Sequence, residues 1–320
     1  TRDPAPVERP FKWVLLLLML AIYSMCFYHA VFFPVTSWDA LIYHLPVARG
    51  LYQEHSIPDI GILSGYPMLV PMIYSWFFFV TSSTNDLYIR TLPPILGMVS
   101  LLEVTIISRS FFNRRSAFYS CFILAAMPIH IAHSIICYYE MPAAIFYSLA
   151  VFLLYKSRVD QEKDRQTGYL AASAMLTGFA ITTQYYCLTV YLVALILFLS
   201  LRREGETFRE PSIFLIVSLS VGGLWYLRNW IAYGNPVYPF LWRVFGGRSL
   251  SFYGLMSVEY YSQQTVFGGI PWLRRAITLP YSILMEDELR TSQGSGPFLA
   301  SLGLAGLLLL IRRRKRGDPA

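Results

Sequence analysis

Apolar positions in this chain keep neither the two-residue period of a half-buried strand nor the narrow stripe of a surface helix; they run together in blocks separated by short polar or basic stretches. A helix needs about 20 predominantly apolar residues to cross the ~30 Å hydrocarbon core of a bilayer. Three runs reach that length: Trp13 to Phe33, Leu87 to Ser108 and Ser116 to Cys137. Five shorter ones follow, each bounded by polar or basic residues: Pro142 to Tyr155, Tyr169 to Thr183, Leu188 to Leu201, Ser212 to Leu227 and Pro297 to Ile311. The pattern predicts an all-α polytopic membrane protein of about eight spans. A further run, Met68 to Val80, has 13 residues and contains Pro71; at 1.5 Å per residue it measures about 20 Å, too short to cross. It is read as a helix in the outer interface, with Tyr74 and Trp76 as interfacial aromatics.

The charges agree with that count. Lys and Arg in short loops stay on the cytoplasmic side. If the chain starts inside and all eight runs cross, 18 of its 26 Lys and Arg fall in inner segments, among them Arg114, Arg115, Lys156, Arg158, Lys163, Arg165, Arg209 and the terminal RRRKR. Counting Met68 to Val80 as a span would invert everything after it. The interval from Arg165 to Arg202 has both ends inside, so it needs an even number of crossings: two short helices meeting near Gln184-Tyr185-Tyr186. The first run has no small-residue cleavage site after it and reads as an anchor rather than a removed signal peptide.

At 55% hydrophobic and 14% charged residues, the composition excludes a soluble globular enzyme and a disordered chain. The net charge of +7 is clustered between apolar runs, which reads as topology rather than nucleic-acid binding. Cys26, Cys121, Cys137 and Cys187 all lie in apolar runs with no CxxC pair, so neither a disulfide framework nor a zinc ribbon is indicated. No GxxxxGK[ST], HExxH or GxSxG occurs, and no repeat or matched pair of broken helices points to an inverted-repeat transporter.

This topology leaves two substantial outer segments, Pro34 to about Asp86 and Asn229 to about Gly296. The first contains SWDALIYHLP directly after the first span. A carboxylate at that boundary loses solvation, which raises its basicity, so Asp39 is a candidate general base; the alternative is an N-cap of a short helix starting at Ala40. Glu140, in CYYEMP, falls on the same face, either as a functional acid or as a solvated turn residue before Pro142. His130 and His133 lie one helical turn apart and either join the two acids around a divalent ion or are buried, hydrogen-bonded imidazoles. The outer cations Arg90 and Arg228 either bind a ligand phosphate or pair structurally, whereas lipid headgroups account for Arg274 and Arg275. Gly234-Asn235-Pro236 ends a helix at the interface, and the aromatics around it form an interfacial belt or stack on sugar rings.

Taken in order, WDALIYHLP, YPMLVPMIYSWFFF with LYIRTLPPILG, SRSFFNRR, YYEMP, TGFAITTQYY and RNWIAYGNPVYPF resemble the membrane-embedded glycosyltransferases of the GT-C fold. The likeness is to the bacterial and archaeal multi-pass group related to protein O-mannosyltransferases and the lipid A aminoarabinose transferase, and it runs from Trp13 to about Leu310. It implies a single GT-C-like domain over residues 1–320, a polyprenyl-phosphate sugar donor, and inverting transfer to a lipid, glycan or protein acceptor on the extracytoplasmic face. By that resemblance Asp39 is the catalytic carboxylate, Glu140 a supporting acid, Arg90 the group facing the donor phosphate, and Tyr43, His44, Gln184 and Tyr185 line the substrate. Gln184 departs from the family's usual Lys, and Arg228 compensates as the second phosphate ligand. The cofactor stays open: a divalent metal is one option, with His133, Glu140 and Asp39 as its candidate ligands. The chain is either a compact member or a truncated one. A flippase for a lipid-linked saccharide, or a non-catalytic subunit of an envelope assembly complex, would use the same surface without a base.

Overall fold

A computed structural model describes residues 8–201 and 208–247; the last predicted span, Arg274, Arg275 and most of the second outer segment lie outside the described residues. All regular structure among the described residues is helical. The chain forms α1 (Glu8–Phe32), a π-helical turn (Ala40–His44), α2 (Leu45–Glu54), a 3-10 turn (Gly61–Gly65), α3 (Leu69–Thr81), α4 (Leu87–Arg90) and α5 (Leu92–Phe111). It continues with α6 (Arg114–Ala126), α7 (Pro128–His133), α8 (Glu140–Val159), α9 (Lys163–Thr183), a 3-10 turn (Tyr185–Thr189), α10 (Val190–Ser200), α11 (Arg209–Tyr233) and the short α12 (Trp242–Phe245).

Among the described residues three helices are long and apolar enough to cross a membrane: Phe11–Phe32, Leu87–Phe111 and Arg209–Tyr233. The first two coincide with predicted spans, and the third lengthens one. The predicted span Ser116 to Cys137 is not continuous. Met127 is extended, and Pro128, which has no N–H to continue the ladder, starts the separate helix α7. Where α6 begins, Asn113 caps it, its side chain accepting from the N–H of Arg115 at 3.0 Å and Ser116 at 2.9 Å. Two helices do meet at Gln184, but α9 starts six residues before the predicted Tyr169.

Packing follows the chain. α8 lies along α9, α9 along α11, and α5 along α6, with α1 against α5 and α6. At one end of this bundle the buried Arg158 pairs with Glu210, donates to the Leu201 carbonyl at 3.1 Å, and lies 5.3 Å from the Phe198 ring centre. At the other end the segment between α1 and α5 folds over the helix termini. α3 is the predicted 13-residue helix, yet only part of it is peripheral: Tyr74 and Phe78 are fully buried in a core with Ala40, Leu45, Ile89 and Cys137, while Trp76 is exposed. The expectation that Tyr74 sits in the lipid interface is therefore wrong, because that face of α3 packs on the π-helical turn, α2 and α4.

Candidate active site

The site is assembled where α2, the loop before α8, the α9 end and the α11 end converge. Its first element is the π-helical turn. Pro46 follows in the same helical run and cannot donate to the Ile42 carbonyl, so the ladder widens to i→i+5 over Ala40–His44. This widening sets His44 into the core and leaves Asp39 half-buried at the rim.

Asp39 does not cap. The helical turn already starts at Ser37, whose carbonyl accepts from Leu41 N–H at 3.1 Å, and the Asp39 side chain makes no capping bond. Its backbone N–H instead donates to the Tyr138 hydroxyl at 3.1 Å, which ties the loop to the YYE stretch. Partial burial holds the Asp39 carboxyl above the ordinary carboxylate range.

Glu140 opens α8, two residues before the apolar crossing run starts at Pro142. Backbone N–H groups at Tyr139 and Glu140 hydrogen-bond its carboxylate, yet Oε2 is buried with no partner. Burial pushes this carboxyl up, the nearby Asp39 charge adds to the rise, and His133 and the backbone donors oppose it. The two acids therefore share one electrostatic neighbourhood.

His44 is fully buried, and neither ring nitrogen has a partner. The rings of Tyr43, Tyr138 and Tyr139 surround it at centroid distances of 4.6, 5.8 and 5.0 Å. Burial lowers its pKa to about 3, so the imidazole stays neutral at working pH. Gln184 ends α9, accepts from Tyr185 N–H at 3.0 Å, and is hydrogen-bonded to Tyr139. The sequence-predicted residues Asp39, Tyr43, His44, Glu140 and Gln184 are thus joined through Tyr138 and Tyr139. These two tyrosines were not singled out beforehand; their place beside Glu140 in YYEMP was the available signal, obscured by the abundance of interfacial tyrosines.

Tyr185 serves a neighbouring hub. Its hydroxyl shares its one proton between the carbonyls of Gly65 at 2.6 Å and Tyr238 at 2.7 Å, and accepts from Asn229 Nδ2 at 2.9 Å. The Gly65 carbonyl also accepts from Asn229 Nδ2 at 2.7 Å and Trp225 Nε1 at 3.1 Å. A side chain at Gly65 would meet the Tyr238 ring at 2.4 Å, so only glycine lets the outer loop close on α11. Tyr185→Phe is expected to remove about 1 kcal/mol or more of stability, read as a fall in Tm of about 2–4 °C for the detergent-solubilised protein.

The arginines differ. Arg90 pairs with Asp86 at 3.3 Å and donates to the Phe33 carbonyl, which joins α4 to the end of α1. Arg228 donates to the Ser64 carbonyl and Asn229 Oδ1, both at 2.8 Å, and lies over Trp225 and Tyr233. It also stands at the edge of an apolar cleft of about 360 Å³ lined by Leu69, Met72, Phe179 and Leu224. His130 is a hydrogen-bonded core imidazole, 2.7 Å from Ser100 Oγ and 3.4 Å from the Tyr23 hydroxyl. His133 Nδ1 is 2.9 Å from the Ile129 carbonyl of its own helix. The candidate ion-ligand set is accordingly not assembled: among the described residues no three His, Cys, Asp or Glu side chains converge to hold a metal.

The family described as dolichyl-phosphate-mannose-protein mannosyltransferase matches residues 65–224. That is 160 of the 320 residues and includes Arg90, Glu140, Gln184 and Tyr185; Asp39, Tyr43, His44 and Arg228 lie outside it. No curated protein matches the chain. Among solved structures, ArnT from Cupriavidus metallidurans bound to undecaprenyl phosphate superimposes with a TM-score of 0.58 at 15% identity, covering 84% of this chain and 51% of that one. The apo oligosaccharyltransferase of Archaeoglobus fulgidus gives 0.52 at 16% identity, covering 95% and 40%. The chain therefore shares the GT-C fold and spans about half or less of these proteins' length.

Proposed function

The chain belongs to the dolichyl-phosphate-mannose-protein mannosyltransferase family, and from that premise we propose that it transfers a sugar from a polyprenyl-phosphate donor to an acceptor hydroxyl on the extracytoplasmic face. The observation that carries this reading is the pair of desolvated carboxyls: Asp39 at the rim and Glu140 with its bare Oε2, brought from distant parts of the chain to one end of the helices.

In the proposed reaction the acceptor hydroxyl attacks the sugar C1 from the face opposite the donor phosphate. The bond from acceptor oxygen to C1 forms as the bond from C1 to phosphate oxygen breaks. The hydroxyl proton passes to Asp39, and the polyprenyl phosphate leaves carrying its negative charge. A carboxylate with raised basicity suits the proton transfer, and the partly exposed Tyr138 and Tyr139, packed on the neutral His44, supply hydrogen-bonding groups that orient the sugar. The donor's isoprenoid chain fits the cleft beside Met72, Phe179 and Leu224, where Arg228 meets the phosphate with its planar, permanently charged fork. Undecaprenyl phosphate, found on ArnT, is the donor carrier to try first.

The test is incubation of the purified protein with a panel of polyprenyl-phosphate sugars and acceptor extracts, following released polyprenyl phosphate by mass spectrometry. Release that depends on acceptor supports transfer; no release with any donor leaves the fold without this activity. The pH profile provides a second check. The base acts deprotonated, so the rate falls as pH drops through a raised pKa, and the acidic limb is expected above the ordinary carboxylate range. Glu140→Gln removes a neighbouring negative charge and is expected to move that limb to lower pH; an unmoved limb would separate the two acids.

A further inference from the structure

One acid inside the helical bundle belongs neither to the catalytic groups nor to the cleft beside Arg228. Glu103 lies in the span Leu87–Phe111, about 16 Å along α5 from Leu92 and about 12 Å from Phe111 at 1.5 Å per residue. It is 7% exposed and lines a cavity of about 240 Å³ between α5, α6, α7 and α8. Ser100, His130 and Ser148 form the polar wall beside it, and Val104, Ile107 and Leu124 lie on the apolar side. Ala144, one turn before Ser148 on α8, also lines the cavity and is exposed, so it marks the mouth.

The donors on the polar wall are already engaged. The Ser100 hydroxyl donates to the Gly97 carbonyl at 2.7 Å, and His130 stands 2.7 Å from Ser100 Oγ and 3.4 Å from the Tyr23 hydroxyl. Ser148 has one hydroxyl proton to divide between Glu103 and the Ala144 carbonyl. Among the described residues no Lys or Arg pairs with Glu103. The cations of the lining helices sit at helix ends: Arg109 in the last turn of α5, Arg114 and Arg115 at the start of α6, and Lys156 and Arg158 in the last turn of α8, where Arg158 is bound to Glu210. The other acid on these helices, Glu140, opens α8 about 12 Å before Ser148, and His133 turns to the Ile129 carbonyl. The cavity thus offers a carboxyl and hydroxyl lone pairs to whatever enters past Ala144.

A carboxyl at this depth is costly without an ionic partner, and the wall lacks a cation rich in N–H groups. We propose that Glu103 receives the ammonium of a lysine carried in the apolar span of a partner membrane protein, whose helix packs across Ala144 between α5 and α8. An ammonium has three donors and no acceptor, which suits a wall of lone pairs. Its methylenes lie on Val104, Ile107 and Leu124, and the small side chains of Ala144 and Ser148 let a helix approach closely. The lysine must come from a different protein. Of this chain's apolar runs only Leu87 to Ser108 holds a Lys or Arg, and that residue, Arg90, stands near the start of the run and pairs with Asp86. Neither the chain itself nor a second copy therefore supplies a cation at mid-span, and the contact does not depend on what the active site does.

The test uses a designed single-span peptide of Leu and Ala with one Lys at its centre, and a twin with Leu at that position. Association with the full chain in liposomes is read by energy transfer. The Lys peptide is expected to bind about 5–30-fold more tightly than its twin, the range for a polar contact between membrane helices. That preference is expected to vanish in E103Q and in A144L, which keeps the carboxyl and fills the mouth of the cavity; A144L carries the test should E103Q fail to fold. Dicyclohexylcarbodiimide is expected to join Glu103 to the peptide Lys as an amide, the water lost on forming that bond converting the carbodiimide to its urea, and mass spectrometry locates the link. Equal binding of the two peptides or a preference that survives either substitution overturns the proposal. So does displacement of the Lys peptide by an equimolar amount of dodecylamine, which assigns the cavity to a free lipid amine.

Discussion

Asp39→Asn is expected to lower sugar transfer about 10²–10⁴-fold, the usual contribution of a positioned general base, with donor-lipid binding retained. The substitution preserves shape and removes only the proton-accepting charge. It is structurally mild because the side chain caps nothing, and the bond anchoring this position to Tyr138 is made by the backbone N–H, which Asn keeps. Initial rates with a saturating polyprenyl-phosphate sugar measure the loss, and native mass spectrometry of the donor-loaded protein measures retained binding. A flippase would tolerate the exchange, since lipid passage needs no base. Full turnover by D39N would therefore end the assignment of Asp39 as the base, while no transfer by the wild-type protein would return the flippase and non-catalytic readings to the front. The split between rate and binding also distinguishes the base from a misfolded variant, in which both are lost.

The helical, membrane-spanning character of the protein was legible because it rests on the length of apolar runs, which the bilayer imposes directly. Its internal breaks were less so. Ser116 to Cys137 reads as one crossing by composition, and the single missing N–H at Pro128 divides it. Met68 to Val80 was recognised as too short to cross, but its apolar character gave no means of telling lipid contact from protein contact, and Tyr74 turned out to be core. Asp39 and Glu140 could be brought to one face from topology alone, because loop sidedness needs only the parity of spans. The arginines could not be separated that way: their roles depend on partners at Asp86, Phe33 and Ser64 that spacing does not reveal. Likewise His130 and His133 share a helical spacing but point to different partners, one across the bundle and one along its own helix.

Gly222→Val is expected to be the most damaging single change to the fold. α9 and α11 cross with Gly178 and Gly222 facing each other. A Cβ on Gly222 would stand 2.6 Å from the Gly178 carbonyl oxygen and 2.5 Å from Ile181 Cγ1. One on Gly178 would stand 2.8 Å from the Ser218 carbonyl oxygen and 2.5 Å from Val221 Cβ. The obstacles include backbone, so no side-chain rotation relieves them and the helices must move apart; close helix approach through small residues is the dominant packing device inside membranes. Gly222→Ala is expected to cost about 1–3 kcal/mol, the usual range for overpacking, and Gly222→Val more, with loss of a cooperative unfolding transition. The damage should reach the site, because Tyr185 follows α9 and Asn229 sits on α11, and both meet on Gly65. Gly223→Ala is the internal control: its Cβ would find nothing nearer than Leu219 at 3.6 Å, and Ala favours a helix over Gly by up to about 1 kcal/mol. Thermal unfolding of the three variants in one detergent decides the matter, and equal Tm values for Gly222→Ala and Gly223→Ala would show that the crossing does not depend on this glycine pair.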